Sequence, residues 1–320
     1  MNAPAAAAAL PFLLALLGFT QQSALSQADP LAAARALLAS GQLVQSEASL
    51  RTYISTNPSS PDAHFLLGYV LFREQKAKES LAEFTAGAKY RHPRAEEFMT
   101  VASDYVLLAD YVDADKWFNE VIAETPNDAN AWYLLGRTRY NENLFEKAAT
   151  AFERTLELHP HYVEAENNLG LCLKELDKST EAKAAFLTAI EWQGHTPLDA
   201  QPFLNLGSLL ADEGDLEKAI SYLAQAAAIA PNNPKTHEEL GTAYQAQKDL
   251  SKAQVELERA VSLSPDSSGL HFKLGTLYRK QGAMDSARHE FEICARLNGT
   301  HSSSATPNPY LPVVPPPKPR

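Results

Sequence analysis

Glycine falls at positions 68, 136, 170, 207, 241 and 275, with successive gaps of 68, 34, 37, 34 and 34 residues. Alanine keeps the same phase twelve residues after the glycine position, at 114, 148, 182, 219, 253 and 287, and proline recurs at 58, 126, 160, 231 and 265. Leu67, Leu135, Leu169, Leu206, Leu240 and Leu274 precede the glycines, and Phe84, Phe118, Phe152, Phe186 and Phe291 mark the second half of the period. Residue types sharing one 34-residue clock describe a chain built by repeating one short supersecondary unit.

Each unit reads as two helices. Trp132, Leu135, Gly136 and Arg139 lie three, four and seven residues apart, which places them on one helix face. Ala148, Phe152 and Thr155 repeat the spacing after a polar turn at Asn141 to Asn143. Pro160 then stops the second helix. Small residues at the glycine and alanine positions let the two backbones approach, and larger side chains beside them fill the gap. One such hairpin cannot bury enough apolar surface to offset the ordering of 34 residues, so its second face must be buried by the next hairpin.

An aromatic ring at unit position 4, Leu at 7, Gly at 8, an aromatic at 11, Ala at 20, Phe at 24 and Pro at 32 resemble the tetratricopeptide repeat. The resemblance implies an all-α, right-handed superhelical solenoid of about eight helix-turn-helix hairpins. The units are 27–60, 61–94, 95–128, 129–162, 163–199, 200–233, 234–267 and 268–301. The first is degenerate, with Ala34 for glycine and Ser46 for alanine, as befits a terminal cap. The fifth is three residues longer, and its surplus within Gly194 to Asp199 reads as a longer loop in which Pro197 prevents helix.

In the family, the first helices line a concave groove, so the resemblance places Phe65, Tyr69, Phe72, Met99, Tyr133, Arg137 and Tyr140 there in the early units. Asn167, Asn168, Asn205, Lys273, Arg279 and Lys280 follow in the later ones. This pattern implies a partner with apolar anchors at one end and polar or acidic groups at the other. Asn168 and Asn205 share unit position 6, which in some arrays resembles a ladder of amides gripping a ligand backbone; the alternative is ordinary solvated asparagine. Arg139 and Glu166 occupy positions usually aromatic and are read either as a compensating pair or as an arginine whose stem extends to solvent. His237 and His271, at position 4, are read as core packing.

Twenty-eight basic against thirty-nine acidic residues give a formal charge of −11, and no cluster of Lys or Arg interrupts it, so nucleic acid is excluded as a partner class. No phosphate-binding glycine loop, nucleophile elbow or paired-histidine metal motif occurs, and no cofactor or metal is expected. His159 and His161 around Pro160 read as half a metal site or as turn surface. Cys172 and Cys294 are expected to stay free and inert inside the array. The resulting function is a non-catalytic scaffold that binds a protein or extended peptide. The alternative is a substrate-presenting or accessory subunit of an enzyme such as a glycosyltransferase.

Residues 3–19, APAAAAALPFLLALLGF, are apolar without interruption, and Ser26-Gln27-Ala28 offers small residues where signal peptidase needs them. Residues 1–28 are therefore expected to be a signal peptide, with the mature chain exported to a periplasm or the outside of a bacterial cell. The absence of Lys or Arg before the apolar run leaves an uncleaved anchor, and with it membrane contact, as the alternative. The solenoid is expected over 29–300. The tail, 301–320, is proline-rich and reads as an extended disordered end or as a ligand for a groove-type domain. Asn298-Gly299-Thr300 is a glycosylation sequon if the source is eukaryotic.

Overall fold

A computed structural model of the chain describes residue 29 and residues 31–301. The expectations for residues 1–28 and for the tail beyond 301 lie outside these. Among the described residues there are sixteen α-helices and no strand. In chain order they are α1 Ala32–Ala39, α2 Leu43–Thr56, α3 Pro61–Arg73, α4 Ala77–Ala88, α5 Ala95–Leu107, α6 Tyr111–Glu124, α7 Ala129–Asn141 and α8 Phe145–Leu158. There follow α9 Val163–Glu175, α10 Ser179–Trp192, α11 Gln201–Asp212, α12 Leu216–Ile229, α13 Pro234–Ala246, α14 Leu250–Leu263, α15 Ser268–Gln281 and α16 Met284–His301. Odd and even helices pair as hairpins, and each hairpin packs on the next, which makes the array a solenoid of consecutive helix pairs. None of these helices is long and apolar enough to cross a membrane.

The local chemistry of each hairpin repeats with the sequence. Ser60, Asp128, Asn233 and Ser267 cap first helices through their side-chain oxygens, and Asp110, Asp215 and Asp249 cap second helices, satisfying N–H groups that helix geometry leaves unpaired. The turn between the two helices takes one residue with positive φ at the same place in all eight hairpins: Gly41, Gln75, Ala109, Asn143, Asp177, Gly214, Lys248 and Gly282. The N–H of the next residue returns to the carbonyl five positions back, as in Lys76 to Leu71 and Leu144 to Arg139, closing a left-handed helix terminus.

Four of the six clock glycines, 68, 136, 170 and 275, face a phenylalanine ring. A Cβ on Gly136 would stand 2.7 Å from the Phe152 ring, and on Gly170 2.6 Å from Phe186. Gly207 and Gly241 meet Leu223 and Leu257 instead, with the carbonyls of Ala219 and Ala253 at 3.1 and 3.2 Å. Each small residue is thus a socket for position 24 of its own unit, and Phe118, Phe152 and Phe186 are buried there. In the two first units Ser replaces Ala: Ser46 Oγ donates to the Ala34 carbonyl at 2.9 Å, and Ser80 Oγ lies 2.8 Å from the Gly68 carbonyl.

First helices also touch across hairpins, α3 with α5, α7 with α9, α9 with α11 and α11 with α13. Helices that stand closer together lie on the inside of a curve, so the odd helices form its inner wall. The longer connection of the fifth unit, residues 193–200, is a loop, held by Gln193, whose Oε1 accepts from the N–H groups of Leu198 and Asp199 and whose Nε2 donates to the Asp199 carbonyl.

Candidate functional site

The inner wall carries the residues that the sequence nominates, but not all of them face outward. Phe65 is 3% exposed: its ring stacks on Phe84 at 5.8 Å, presses on Gly87 and lies under the Arg91 guanidinium at 4.5 Å. It is a core residue, which corrects its assignment to the groove. Gly87, a glycine outside the 34-residue clock, opens the slot that takes the ring. Phe72 is buried too, and Met99 packs half-buried among Phe118 and its neighbours. Tyr69 stays partly exposed, its ring 6.3 Å from Phe72 and 6.0 Å from the Arg73 guanidinium.

A continuous polar row crosses three hairpins in the middle of the wall. Asn168 Nδ2 donates to the Tyr133 hydroxyl at 3.3 Å, Asn167 Nδ2 reaches Asn168 Oδ1 at 3.5 Å, and Asn205 Nδ2 donates to Asn167 Oδ1 at 2.8 Å. Asn167 is buried, whereas Asn168, Asn205 and Tyr133 are half-buried. Tyr133 is braced by Phe152 at 5.9 Å and Tyr162 at 5.0 Å, and Arg137 lies 5.9 Å from its centroid. Burial raises the Tyr133 phenol, so it remains protonated and able to donate at neutral pH. Tyr140 sits edge-on to Phe145 at 5.4 Å, and burial pushes its phenol up to about 12.

Toward the C-terminal end the wall is ionic. Lys273 pairs with Glu238 at 2.5 Å, and Lys235 reaches Glu238 at 3.2 Å and Glu239 at 2.7 Å. Burial acts to raise the Glu238 carboxyl, but Lys273 and Lys235 outweigh it and hold the pKa below the ordinary carboxylate range. Lys273 is therefore engaged within the wall, while Arg279 and Lys280 remain exposed.

Two other sequence expectations change. Arg139 neither joins Glu166 nor runs to solvent; its Nε donates to Asp115 of the preceding hairpin at 2.7 Å, with Asn119 at 3.4 Å. Glu166 is half-buried, and desolvation raises its carboxyl. Cys172 is buried and free, but Cys294 is only half-buried, because no further hairpin among the described residues covers α16. His159 and His161 lean on Tyr162 and Trp192 at 5.3 and 5.0 Å, and no group of three metal-ligating side chains forms among the described residues.

The sequence reading missed the polar side of position 4. Trp132 Nε1 donates to the Pro126 carbonyl at 3.0 Å, and His64, His237 and His271 place Nε2 on the equivalent proline carbonyls. The signal was present as His and Glu nineteen residues apart in three units, 64 with 83, 237 with 256 and 271 with 290.

Family models described as tetratricopeptide repeat match residues 31–96, 102–162, 133–190 and 173–234, and a second such model matches 210–268. The chain belongs to the tetratricopeptide repeat family. An uncharacterized TPR repeat-containing protein of Arabidopsis thaliana is 33% identical over 116 residues, which cover 34% of this chain and 14% of that protein. Protein O-mannosyl-transferase TMTC3 of Mus musculus is 28% identical over 127 residues, covering 36% of this chain and 14% of that one. This TPR chain thus aligns with about one seventh of either relative's length. Among solved structures, yeast Tom70 superposes with a TM-score of 0.60 at 16% identity, covering 80% of this chain and 55% of that one. The Cut9-Hcn1 structure gives 0.59 at 18%, covering 84% and 52%. These likenesses concern the fold, whose TPR architecture supports a protein-interaction role.

Proposed function

We propose that the chain is a non-catalytic scaffold whose inner wall holds an extended peptide or a partner's loop. The observation that carries this reading is the row Tyr133, Asn168, Asn167, Asn205, which runs unbroken over α7, α9 and α11. An amide donates and accepts at once, as a peptide group does, and each of Asn168 and Asn205 uses one N–H within the row and keeps another. Arg137 and Tyr140 of α7 flank it with partly exposed cationic and aromatic surface, and Tyr69 adds a partly exposed ring on α3.

Selection of displayed random peptides on the immobilised full chain tests it. Enriched peptides are expected to bind one site, and Asn168→Ala with Asn205→Ala is expected to weaken them by about tenfold or more, the cost of about one to two lost hydrogen bonds. A melting curve checks that the variant is folded. Enrichment of no sequence beyond that on an unrelated helical protein, or equal binding by the variant, would overturn the reading.

A second reading, an accessory or substrate-presenting arm of a glycosyltransferase, is favoured by the stretch shared with the O-mannosyl-transferase. Transferase activity that co-purifies with the chain would support it. For location we propose export to a bacterial cell envelope through residues 1–28, with the solenoid from 29 and the tail from 301 as separate segments. N-terminal sequencing of the mature protein separates cleavage after Ala28 from an anchor at 3–19.

A further inference from the structure

His64, His237 and His271 each hold both ring nitrogens against acceptors. Nδ1 lies 2.7, 2.7 and 2.6 Å from Oε2 of Glu83, Glu256 and Glu290. Nε2 lies 3.0, 3.0 and 2.9 Å from the carbonyl oxygens of Pro58, Pro231 and Pro265. A carbonyl only accepts, so Nε2 carries hydrogen in all three. A neutral imidazole has one hydrogen, and with it on Nε2 the bare Nδ1 would meet the carboxylate lone pair to lone pair. The contact closes only when a second proton lies between Nδ1 and Oε2. The three rings are 7%, 9% and 4% exposed, so bulk water has little access to take that proton's place.

Each triad ties the end of one hairpin, through the proline carbonyl, to both helices of the next. Trp132 makes the carbonyl contact to Pro126 with an N–H that does not titrate, and Ala151 stands nineteen residues on, where the three histidine units have Glu. The chain thus contains a protonatable and a non-protonatable version of one clasp.

We propose that the three His–Glu–carbonyl triads are proton-operated clasps that hold their hairpin junctions when protonated and slacken as pH rises. Two of them are consecutive, so the α13–α16 end of the array, with the Glu238–Lys273 part of the inner wall, is governed as a block. Among the charged and titratable neighbours, Arg51 of α2 acts on Glu83, Arg259 of α14 reaches the Pro231 carbonyl at 3.5 Å, and Tyr278 of α15 feels Glu290. None supplies the missing donor to Nδ1.

Amide hydrogen exchange on the full chain between pH 5.5 and 8.5, corrected for intrinsic exchange, tests the clasps. Protection of α13–α16 is expected to fall by about tenfold or more relative to α7–α8 over that range, since a single linked proton gives up to tenfold per pH unit. Glu256→Gln with Glu290→Gln lets the amide donate to a neutral Nδ1, and is expected to flatten the profile while keeping the contact. Replacing both pairs by Trp and Ala, as at 132 and 151, is expected to flatten it too. A wild-type profile without pH dependence, or a Gln variant that retains it, would overturn the proposal.

Discussion

Ser80 Oγ lies 2.5 Å from Asp104 Oδ2 where neither residue is exposed to solvent. The serine has a single proton, which it directs at both the Gly68 carbonyl at 2.8 Å and this carboxyl oxygen, whereas Ser46 donates to the Ala34 carbonyl. Asp104 has no other side-chain partner for its carboxyl. Burial raises its carboxyl from 3.8 to about 7, and Oδ1 has no partner.

An acid whose folded pKa lies above its unfolded one contributes stability that is complete below the unfolded value and is lost as pH rises through the folded one. The array is therefore expected to lose on the order of 4 kcal/mol between pH 4 and 7 through this residue, at 1.36 kcal/mol per unit. Asp104→Asn keeps a donor toward Ser80 and cannot ionise. Its melting temperature at pH 8 should exceed the wild type's, with the difference closing at pH 4; equal curves at pH 8 would show that burial does not raise the carboxyl.

Glycine has opposite values at two unit positions. Gly136→Ala puts a methyl group 2.7 Å from a Phe152 ring that has no room to move, and should cost about 1–3 kcal/mol. Ala109→Gly, at φ 57 in the turn between α5 and α6, relieves a left-handed alanine and should gain about 1 kcal/mol. Urea denaturation of both variants checks the two signs; a destabilised Ala109→Gly would mean that the turn carries no strain.

Thiol chemistry separates the two cysteines. Burial pushes Cys172 up to about 12, which leaves almost no thiolate at neutral pH. A disulfide reagent at pH 8 should modify half-exposed Cys294 alone in the native chain and both residues in denaturant. Fast native reaction of Cys172 would show that the α9–α10 hairpin opens readily.

The hairpins were legible because their determinants are local. Gly136 and Phe152 lie sixteen residues apart within one hairpin, a spacing fixed by the period itself. Side-chain fate was less legible where it depends on residues outside the clock. Phe65 holds a position that leaves Asn167 and Tyr133 in the polar row, yet Gly87 draws its ring into the core. Asp104 reads as one more polar helix residue until Ser80 is known to face it. The histidine clasps required matching a glutamate nineteen residues on with a carbonyl six residues back, a relation that runs through two helices and a turn.

The Arg139–Asp115 contact shows the same limit and yields the last prediction. Arg139 turns back to α6 rather than forward to Glu166 because Asp115 and Asn119, one turn apart, offer two acceptors at 2.7 and 3.4 Å. Its side chain is 15% exposed and that of Asp115 27%, so the pair is partly shielded from water. A double-mutant cycle with Arg139→Ala and Asp115→Ala, read from exchange protection of α6 and α7, should give a coupling of about 1 kcal/mol. Glu166→Gln should combine additively with Arg139→Ala. Glu166 also titrates alone: its carboxyl is raised by desolvation, so its contribution is lost as pH rises, and Glu166→Gln should stabilise α9 at pH 7 but not at pH 4. Coupling between 139 and 166 as large as that between 139 and 115 would mean that the arginine is shared across the junction.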